Sequence, residues 1–187
     1  ILFRLVGSEM CIRDRMTTVA FGTVKPIPVT AATIDWKAYK IAYERWGTIE
    51  LESGELDFEE GTLTGGNFVV DMTSIQVTSL EGKKKANLEK HLRSDDFFGV
   101  EQFPGATMII TAVEQSADGY TVTGDFTIKG QTHPVIFPMT FDGNTAIAKV
   151  KIDRSKYNVR YGSDSFFDNL GDRVIYNEFD LNVTLTF

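Results

Sequence analysis

The sequence predicts an all-β protein in which about eight antiparallel strands close into a barrel or pack as a sandwich, with one short helix. Apolar and polar residues alternate with a period of two over most of the chain. Turns that contain glycine separate the alternating runs. Aromatic residues, which favour strands, make up 12% of the 187 residues. A chain of this length suits a single domain.

Strands are predicted in the first half of the chain wherever the alternation is regular. Ile34, Trp36 and Ala38 share one face of a first strand, and the same pattern continues through Ile41, Tyr43, Arg45, Gly47, Ile49 and Leu51. Turns are predicted at 52–55 and 59–61 because Ser-Gly and Glu-Gly pairs interrupt the pattern there. Phe68, Val70 and Met72 then share one face of the next strand.

In the second half, turn residues divide the chain into further strands. They are predicted at 107–114, 120–129, 135–142, 145–152 and 178–187. The turns carry Asp118-Gly119, Lys129-Gly130 and Asp142-Gly143-Asn144, and an Asp-Gly pair between alternating runs is a strong hairpin signal. The one predicted helix covers residues 82–94, where Leu88 and Leu92 recur at a spacing of four.

Composition excludes several functional classes. The net charge is −7 and the isoelectric point is near 4.9, which disfavours binding to nucleic acid or to anionic membranes. The basic run at 83–85 is interpreted as a solvated helix face. Cys11 is the single cysteine, so an intramolecular disulfide is excluded. No apolar run reaches the roughly 18 residues that a membrane-spanning helix needs, so stable membrane insertion is not expected.

Residues 1–15 look foreign to the domain. Arg4 breaks their short apolar run, and the charged segment 13–15 stands where a signal-peptidase site would be expected. We therefore expect a non-native or disordered leader, with Met16 as the native start and the domain at 16–187. A degraded signal peptide is the alternative. The compartment stays open: periplasmic or secreted if a signal has been lost, and cytoplasmic if Met16 is the start.

Four short segments, in this order, resemble the YceI-like family. They are the run at 63–75 that ends in Asp71-Met72-Thr73-Ser74-Ile75, the run at 91–107 with His91-Leu92, Asp96-Phe97-Phe98 and Phe103-Pro104, the strand and turn at 122–130, and Ile152-Asp153-Arg154 with Tyr161. The resemblance covers roughly residues 33–187.

The resemblance implies an eight-stranded antiparallel lipocalin-like β-barrel with an elongated internal pocket. It implies a ligand such as a polyisoprenoid, an isoprenoid quinone or a fatty-acid derivative, which the protein would bind, sequester or transport. No catalytic residues are implied, and no cofactor is expected other than such a quinone or lipid as ligand. Partners are therefore expected to be hydrophobic small molecules, and a homodimer is left open.

Alternation and the resemblance together give the candidate ligand-binding residues. They are the inward positions of the strands and the aromatic residues at the helix end: Trp36, Tyr43, Arg45, Phe68, Val70, Met72, Phe97, Phe98, Phe103, Phe126, Ile128, Phe137 and Met139. Val135 lies on the same predicted inward face as Phe137 and Met139. The same side chains would also fill the core of a solid barrel, and the sequence does not distinguish a hollow barrel from a filled one.

One segment departs from the family pattern. Ala38 stands where the family often has glycine, and Arg45 where it often has histidine. If that position lies at the pocket mouth, Arg45 changes which head group is accepted. Tyr39, Tyr43 and Trp46 add bulk nearby, so the pocket would be smaller or blocked if they faced inward.

Two other functions were weighed. A filled barrel could act as a stress-related interaction module without a lipid, and an enzyme acting on a bound lipid would place Arg45, Arg154, Arg160 and Tyr161 at the pocket end. We expect a binding protein rather than an enzyme, because no nucleophile motif or nucleotide-binding loop is present. Arg154 and Arg160 are expected to form surface ion pairs. His91 and Asp95 lack the third ligand that a metal site needs.

Overall fold

The protein is described here as a computed structural model, which covers residues 23–168, 171 and 174–187. The predicted leader at 1–15 and Cys11 lie outside these residues. Within the described part the chain forms nine strands, one α-helix and a short 3₁₀ helix at Arg154–Tyr157. The strands are β1 (Lys25–Pro28), β2 (Ala31–Lys40), β3 (Glu44–Glu59), β4 (Thr62–Val77), β5 (Gly105–Ser116), β6 (Gly119–Ile128), β7 (Gln131–Asp142), β8 (Thr145–Asp153) and β9 (Ile175–Thr186).

Strands β2 to β9 form a closed antiparallel barrel, as predicted. Hydrogen-bonded neighbours follow the order β3-β2-β9-β8-β7-β6-β5-β4, and β4 pairs again with β3 to complete the ring. The short strand β1, which the sequence pattern did not predict, lies beside residues 55–58 of β3, while β2 takes the same side of β3 at residues 44–49. Pro26 and Pro28 suit β1 because an edge strand does not need every N–H.

The β3–β4 hairpin differs from the sequence prediction at two places. The turn predicted at 52–55 is wrong, because these residues continue β3, and the pairing with β4 shifts by one residue between Leu51 and Ser53 instead. This β-bulge bends the strand without ending it. Ile41 and Tyr43 do not continue the alternation, since they lie in the exposed turn between β2 and β3.

The predicted helix is confirmed as α1, which spans Gly82–Arg93. It crosses one end of the barrel and is held against the end of β4 by two side chains. Glu89 Oε1 accepts from the backbone N–H of Val77 at 2.9 Å, and Arg93 Nη2 donates to the carbonyl of Ile75 at 2.6 Å. Leu92 is buried on the barrel side of the helix. No described helix has the length and apolar character needed to cross a membrane.

The two ends of the barrel are built differently. The end formed by the turns β3–β4, β5–β6 and β7–β8 is packed with aromatic rings: Phe58, Tyr120, Phe141 and Phe187 have ring centroids 5.5–6.0 Å apart in four contacting pairs. These four residues are called the aromatic plug below. The opposite end carries α1, the β2–β3 turn and the segment that contains the 3₁₀ helix.

A side-chain link holds β2 to β9 near the helix end. The Tyr39 hydroxyl donates to Asp180 Oδ2 at 2.5 Å, and Lys151 Nζ of β8 lies 3.1 Å from Asp180 Oδ1. The hydrogen bond from Tyr39, followed by the interaction with Lys151, holds the pKa of Asp180 below its usual range despite partial burial. Three neighbouring strands are therefore joined through one carboxylate.

We expect Tyr39→Phe to lower the free energy of unfolding by about 1 kcal/mol at pH 7, because a hydrogen bond to a charged acceptor is lost. A carboxylate whose pKa is lowered on folding stabilises the fold above its unfolded pKa, and this contribution disappears as the pH falls through the folded pKa. The difference between wild type and variant should therefore shrink below about pH 4. Urea unfolding at several pH values measures it. Tyr43→Phe, in the exposed turn, serves as the control and should stay within about 0.5 kcal/mol of wild type.

Candidate functional site

The barrel encloses an apolar cavity of about 150 Å³. Its wall is made of inward-facing residues from every barrel strand, together with the end of α1 and the residues after it. The wall residues are Ile34, Trp36, Ala38, Ile49, Leu51, Phe68, Val70, Met72, Ile75, Leu92, Phe97, Phe98, Ala106, Met108, Phe126, Ile128, Phe137, Met139, Ala148, Val150, Arg154, Ile175, Tyr176, Phe179, Leu181, Val183 and Leu185.

Small residues on the wall leave the interior open. Ala38, Ala106 and Ala148 occupy inward positions of β2, β5 and β8, where larger side chains would reach the barrel axis. Gly54 makes room for the ring of Phe68, because a Cβ at position 54 would stand 2.6 Å from Phe68 Cδ1. Gly124 does the same for Met108, whose Sδ would be 2.6 Å from a Cβ there. The barrel therefore keeps large apolar surfaces without filling its centre.

The Trp36 indole is fixed on the wall by its polar atom. Its Nε1 donates to the carbonyls of Gln76 at 3.1 Å and Thr48 at 3.3 Å, so the N–H is satisfied by the sheet. The ring lies over Gly47, where a Cβ would come within 2.7 Å of it. Because the polar group is turned into the wall, the indole adds apolar surface beside the cavity.

The cavity is long and thin. On β9 the wall residues run from Ile175 to Leu185, which corresponds to roughly 30 Å of strand at about 3.3 Å per residue. The aromatic plug lies beyond Leu185 and Met139 and does not line the cavity, so it closes that end. Tyr176, at the other end, lines the cavity and is also 49% exposed, so we place the opening beside it.

Arg154 is the charged residue among the described wall residues, and it lies near the opening. Its side chain is 3% exposed, and the prediction that it forms a surface ion pair is wrong. Burial lowers the pKa of its guanidinium to about 10, so the group stays positively charged at neutral pH. Arg160 is exposed, but among the described residues it forms no ion pair, and its Nε donates to Asn158 Oδ1 at 2.6 Å.

The structure places ten of the thirteen sequence-predicted site residues on the cavity wall. These are Trp36, Phe68, Val70, Met72, Phe97, Phe98, Phe126, Ile128, Phe137 and Met139. Their contact with a ligand stays a prediction. Val135 packs against the core without lining the cavity.

Three predicted site residues lie elsewhere. Tyr43 is 45% exposed in the β2–β3 turn, and the guanidinium of Arg45 stacks over its ring at 4.0 Å. Arg45 is thus outside the wall, and Tyr43 and Trp46 do not block the cavity, because both point to solvent. Phe103 packs against Gly130, where a Cβ would stand 3.0 Å from its Cε1. Arg45 pairs with Ala38 and keeps the inward parity of β3, but it lies at the end of the strand and its side chain bonds to the Glu44 carbonyl instead of lining the cavity.

Sequence reasoning missed the contribution of β9 and of the small residues. Phe179, Leu181, Val183 and Leu185 alternate as clearly as the residues on β4, so their spacing could have identified them. Arg154 carried no such signal, because its burial depends on the fold of residues 154–161 over the barrel end.

The described residues contain no group of three or more side chains placed to hold a metal ion. His91 packs edge-on against Tyr161 at 4.3 Å and Phe97 at 5.6 Å between ring centroids. Its Nε2 is buried and has no partner within the part of the chain that the structure covers. The interior offers apolar surface and one cation rather than paired acid and base groups.

The fold and the cavity define a lipocalin-like β-barrel with a hollow apolar interior. The chain belongs to the YceI-like family, because the model of the YceI-like domain matches residues 19–187. A UPF0312 protein of Photorhabdus laumondii is 34% identical over 111 residues, which cover 59% of this chain and 56% of the relative. The protein YceI of Escherichia coli is 30% identical over 107 residues, 56% of this chain and 53% of the relative. The matches thus span little more than half the length of these relatives.

Solved structures share the fold at low sequence identity. BcnA of Burkholderia cenocepacia superposes with a TM-score of 0.65 at 19% identity, covering 83% of this chain and 96% of BcnA. A domain of Saccharophagus degradans, described as polyisoprenoid-binding, gives 0.59 at 13% identity and covers 88% of this chain and 97% of that domain. At these identities the likeness concerns the fold alone.

We expect Gly54→Ala to reduce the space inside the barrel, because the new methyl group would displace the Phe68 ring into the cavity. The uptake of a fluorescent apolar dye should fall severalfold, as measured by titration. Gly105→Ala is the matched control, since its Cβ would meet Val69 Cγ1 only at 3.8 Å. Unchanged dye uptake by a folded Gly54→Ala variant would contradict this account of the open interior.

Proposed function

We propose that the protein binds a long apolar amphiphile, such as a polyisoprenoid, an isoprenoid quinone or a fatty-acid derivative, inside the barrel and thereby sequesters or carries it. The observation that carries the proposal is the long, thin cavity with an almost entirely apolar wall. A hydrocarbon chain offers no hydrogen-bonding groups, so it is recognised by buried area and shape. Each methylene taken out of water contributes about 0.8 kcal/mol before the cost of ordering the chain.

The shape of the cavity favours a chain over a compact ligand. Its wall follows β9 for most of that strand while its volume is only about 150 Å³. Met72, Met108 and Met139 add unbranched, polarisable side chains that adapt to an irregular chain. The polyisoprenoid-binding description of the Saccharophagus degradans domain agrees with this class of ligand.

The proposal concerns binding rather than catalysis. The polar side chains of the described wall are Arg154 and Tyr176, together with the Trp36 N–H that is already bonded to the sheet. Acid–base chemistry needs at least one titratable group that can exchange a proton with the reacting atom. The alternative of a filled barrel that acts as an interaction module is disfavoured, because the interior contains a cavity.

The proposal predicts that lipid co-purifies with the protein and that filling the cavity removes it. Ala148→Phe places a ring on the cavity wall, and we expect lipid extracted with organic solvent to fall at least fivefold, as measured by mass spectrometry. Ile147→Phe adds a ring of the same size on the outer face of the same strand, where Ile147 is 41% exposed, and should leave the lipid content unchanged.

A lipid-free wild-type extract, together with no binding of a prenyl quinone or a fatty acid in titrations, would overturn the proposal. Equal lipid content in the two phenylalanine variants would place the lipid outside the barrel. Both variants need the same far-ultraviolet circular dichroism spectrum as wild type, since adding atoms to a packed core costs about 1–3 kcal/mol.

A further inference from the structure

Among the described residues, Arg154 donates hydrogen bonds only to backbone carbonyls. Its Nη1 donates to the carbonyls of Tyr161 at 2.9 Å and Val159 at 3.0 Å, and Nη2 donates to Ile175 at 2.8 Å. Nε donates to the carbonyl of Tyr176 at 3.2 Å. The four bonds fix the guanidinium plane beside the cavity opening and join the residues after the 3₁₀ helix to the start of β9.

The two described carboxylates whose charges act on Arg154, those of Asp153 and Asp164, are bonded to other donors. Asp153 Oδ1 accepts from the N–H of Ser155 at 3.0 Å and from its hydroxyl at 2.6 Å. Asp164 Oδ1 lies 3.3 Å from Nδ2 of Asn177. Within residues 23–168, 171 and 174–187, no carboxylate oxygen lies within 4.0 Å of the Arg154 nitrogens. Backbone carbonyls, with Asp153 and Asp164 at longer range, favour the charge, but no carboxylate of the described chain contacts it.

The guanidinium also has more donors than these carbonyls use. An arginine carries five N–H groups, and the four bonds to described residues account for one on Nε, two on Nη1 and one on Nη2. The ring of Phe97, another wall residue, lies with its centroid 5.6 Å from the guanidinium carbon. Arg154 thus places a positive charge directly behind an otherwise apolar wall, and one Nη2 hydrogen is not used by the described carbonyls.

We infer that Arg154 selects the head group of the ligand, so that the cavity favours amphiphiles with an anionic oxygen head, a carboxylate or a phosphate, over neutral ones of the same chain. The inference rests on the proposed function. The tail would lie along β9 towards the aromatic plug, and the head group would remain beside Arg154 and Tyr176 at the opening. In a site of low dielectric constant a charge acts over several ångströms, so a head group near the guanidinium gains from it even before a direct hydrogen bond forms.

The test compares ligands that share one chain and differ only in the head group. Oleate, oleyl phosphate and oleyl alcohol are titrated into wild-type protein at pH 8 by displacement of a fluorescent apolar dye, below their critical micelle concentrations. We expect the carboxylate and the phosphate to bind about tenfold more tightly than the alcohol. The preference should persist when salt is raised, because a buried charge is screened much less than an exposed one.

Two variants assign the preference to a residue. Arg154→Met should remove most of the difference between oleate and oleyl alcohol while the alcohol still binds. Arg160→Met removes an exposed cation at the same end of the barrel and should leave the difference intact. Because Arg154 ties two segments together, Arg154→Met could fail to fold, and the preference measured on wild type at high salt and on Arg160→Met then decides: its persistence in both supports the inference, and its loss in either overturns it.

The outcomes separate the two proposals. If none of the three ligands displaces the dye or binds directly, the proposed function fails. If all three bind with equal affinity, the function stands and the inference about the head group is overturned. The preference for anionic head groups could also survive in Arg154→Met and disappear in Arg160→Met or at high salt. Surface charge would then cause the preference, and the role of Arg154 would be overturned.

Discussion

The pairing of β3 with β4 turns the sheet into a closed wall, and both the interior and the site depend on that closure. The two 16-residue strands form a hairpin that is joined to β2 on one side and to β5 on the other. Three shifts in their register bend the hairpin enough to complete the ring. Without this pairing, β3 and β4 would be exposed edges, and the inward residues of every strand would face solvent.

Closure alone does not make a hollow barrel, because about eight strands enclose a space that side chains can fill. Here the filling is uneven along the axis. Leu56, Leu63 and Val122 are fully buried next to the aromatic plug, and this end is packed solid. Along the rest of the wall, Ala38, Ala106 and Ala148 leave room between the large side chains, and the space along the axis stays open. The difference in packing gives the interior a direction, with a closed end and an end that reaches solvent.

Much of the fold could be predicted from the sequence, and the exceptions have physical causes. The period-two pattern and the Asp-Gly and Lys-Gly turns located β5, β6, β8 and α1 closely, because these signals are local. The turn predicted at 52–55 was wrong, because Ser53-Gly54 lies at a β-bulge within β3. Gly54 is needed there to make room for Phe68 on β4, and a local sequence pattern does not reveal a contact between separate strands. Tyr43 was assigned to the inner face because the turn after Lys40 did not interrupt the pattern, and Arg45 has the inward parity but lies beyond the end of the cavity. The burial of Arg154 followed only from the way residues 154–161 fold back over the barrel end.

An open interior has a cost in stability, and that cost bears on function. At about 24 cal/mol per Å³, a cavity of 150 Å³ forgoes on the order of 4 kcal/mol of packing energy, a large fraction of what holds a domain folded. Keeping Arg154 buried without a described carboxylate partner adds a further desolvation cost. Both costs arise at the same place and both are relieved by the same occupant, since an apolar chain would fill the space and an anionic head group would neutralise the charge. A molecule that binds only the folded barrel raises its stability in proportion to the logarithm of its concentration, so the features that weaken the empty barrel are those that couple its stability to the ligand.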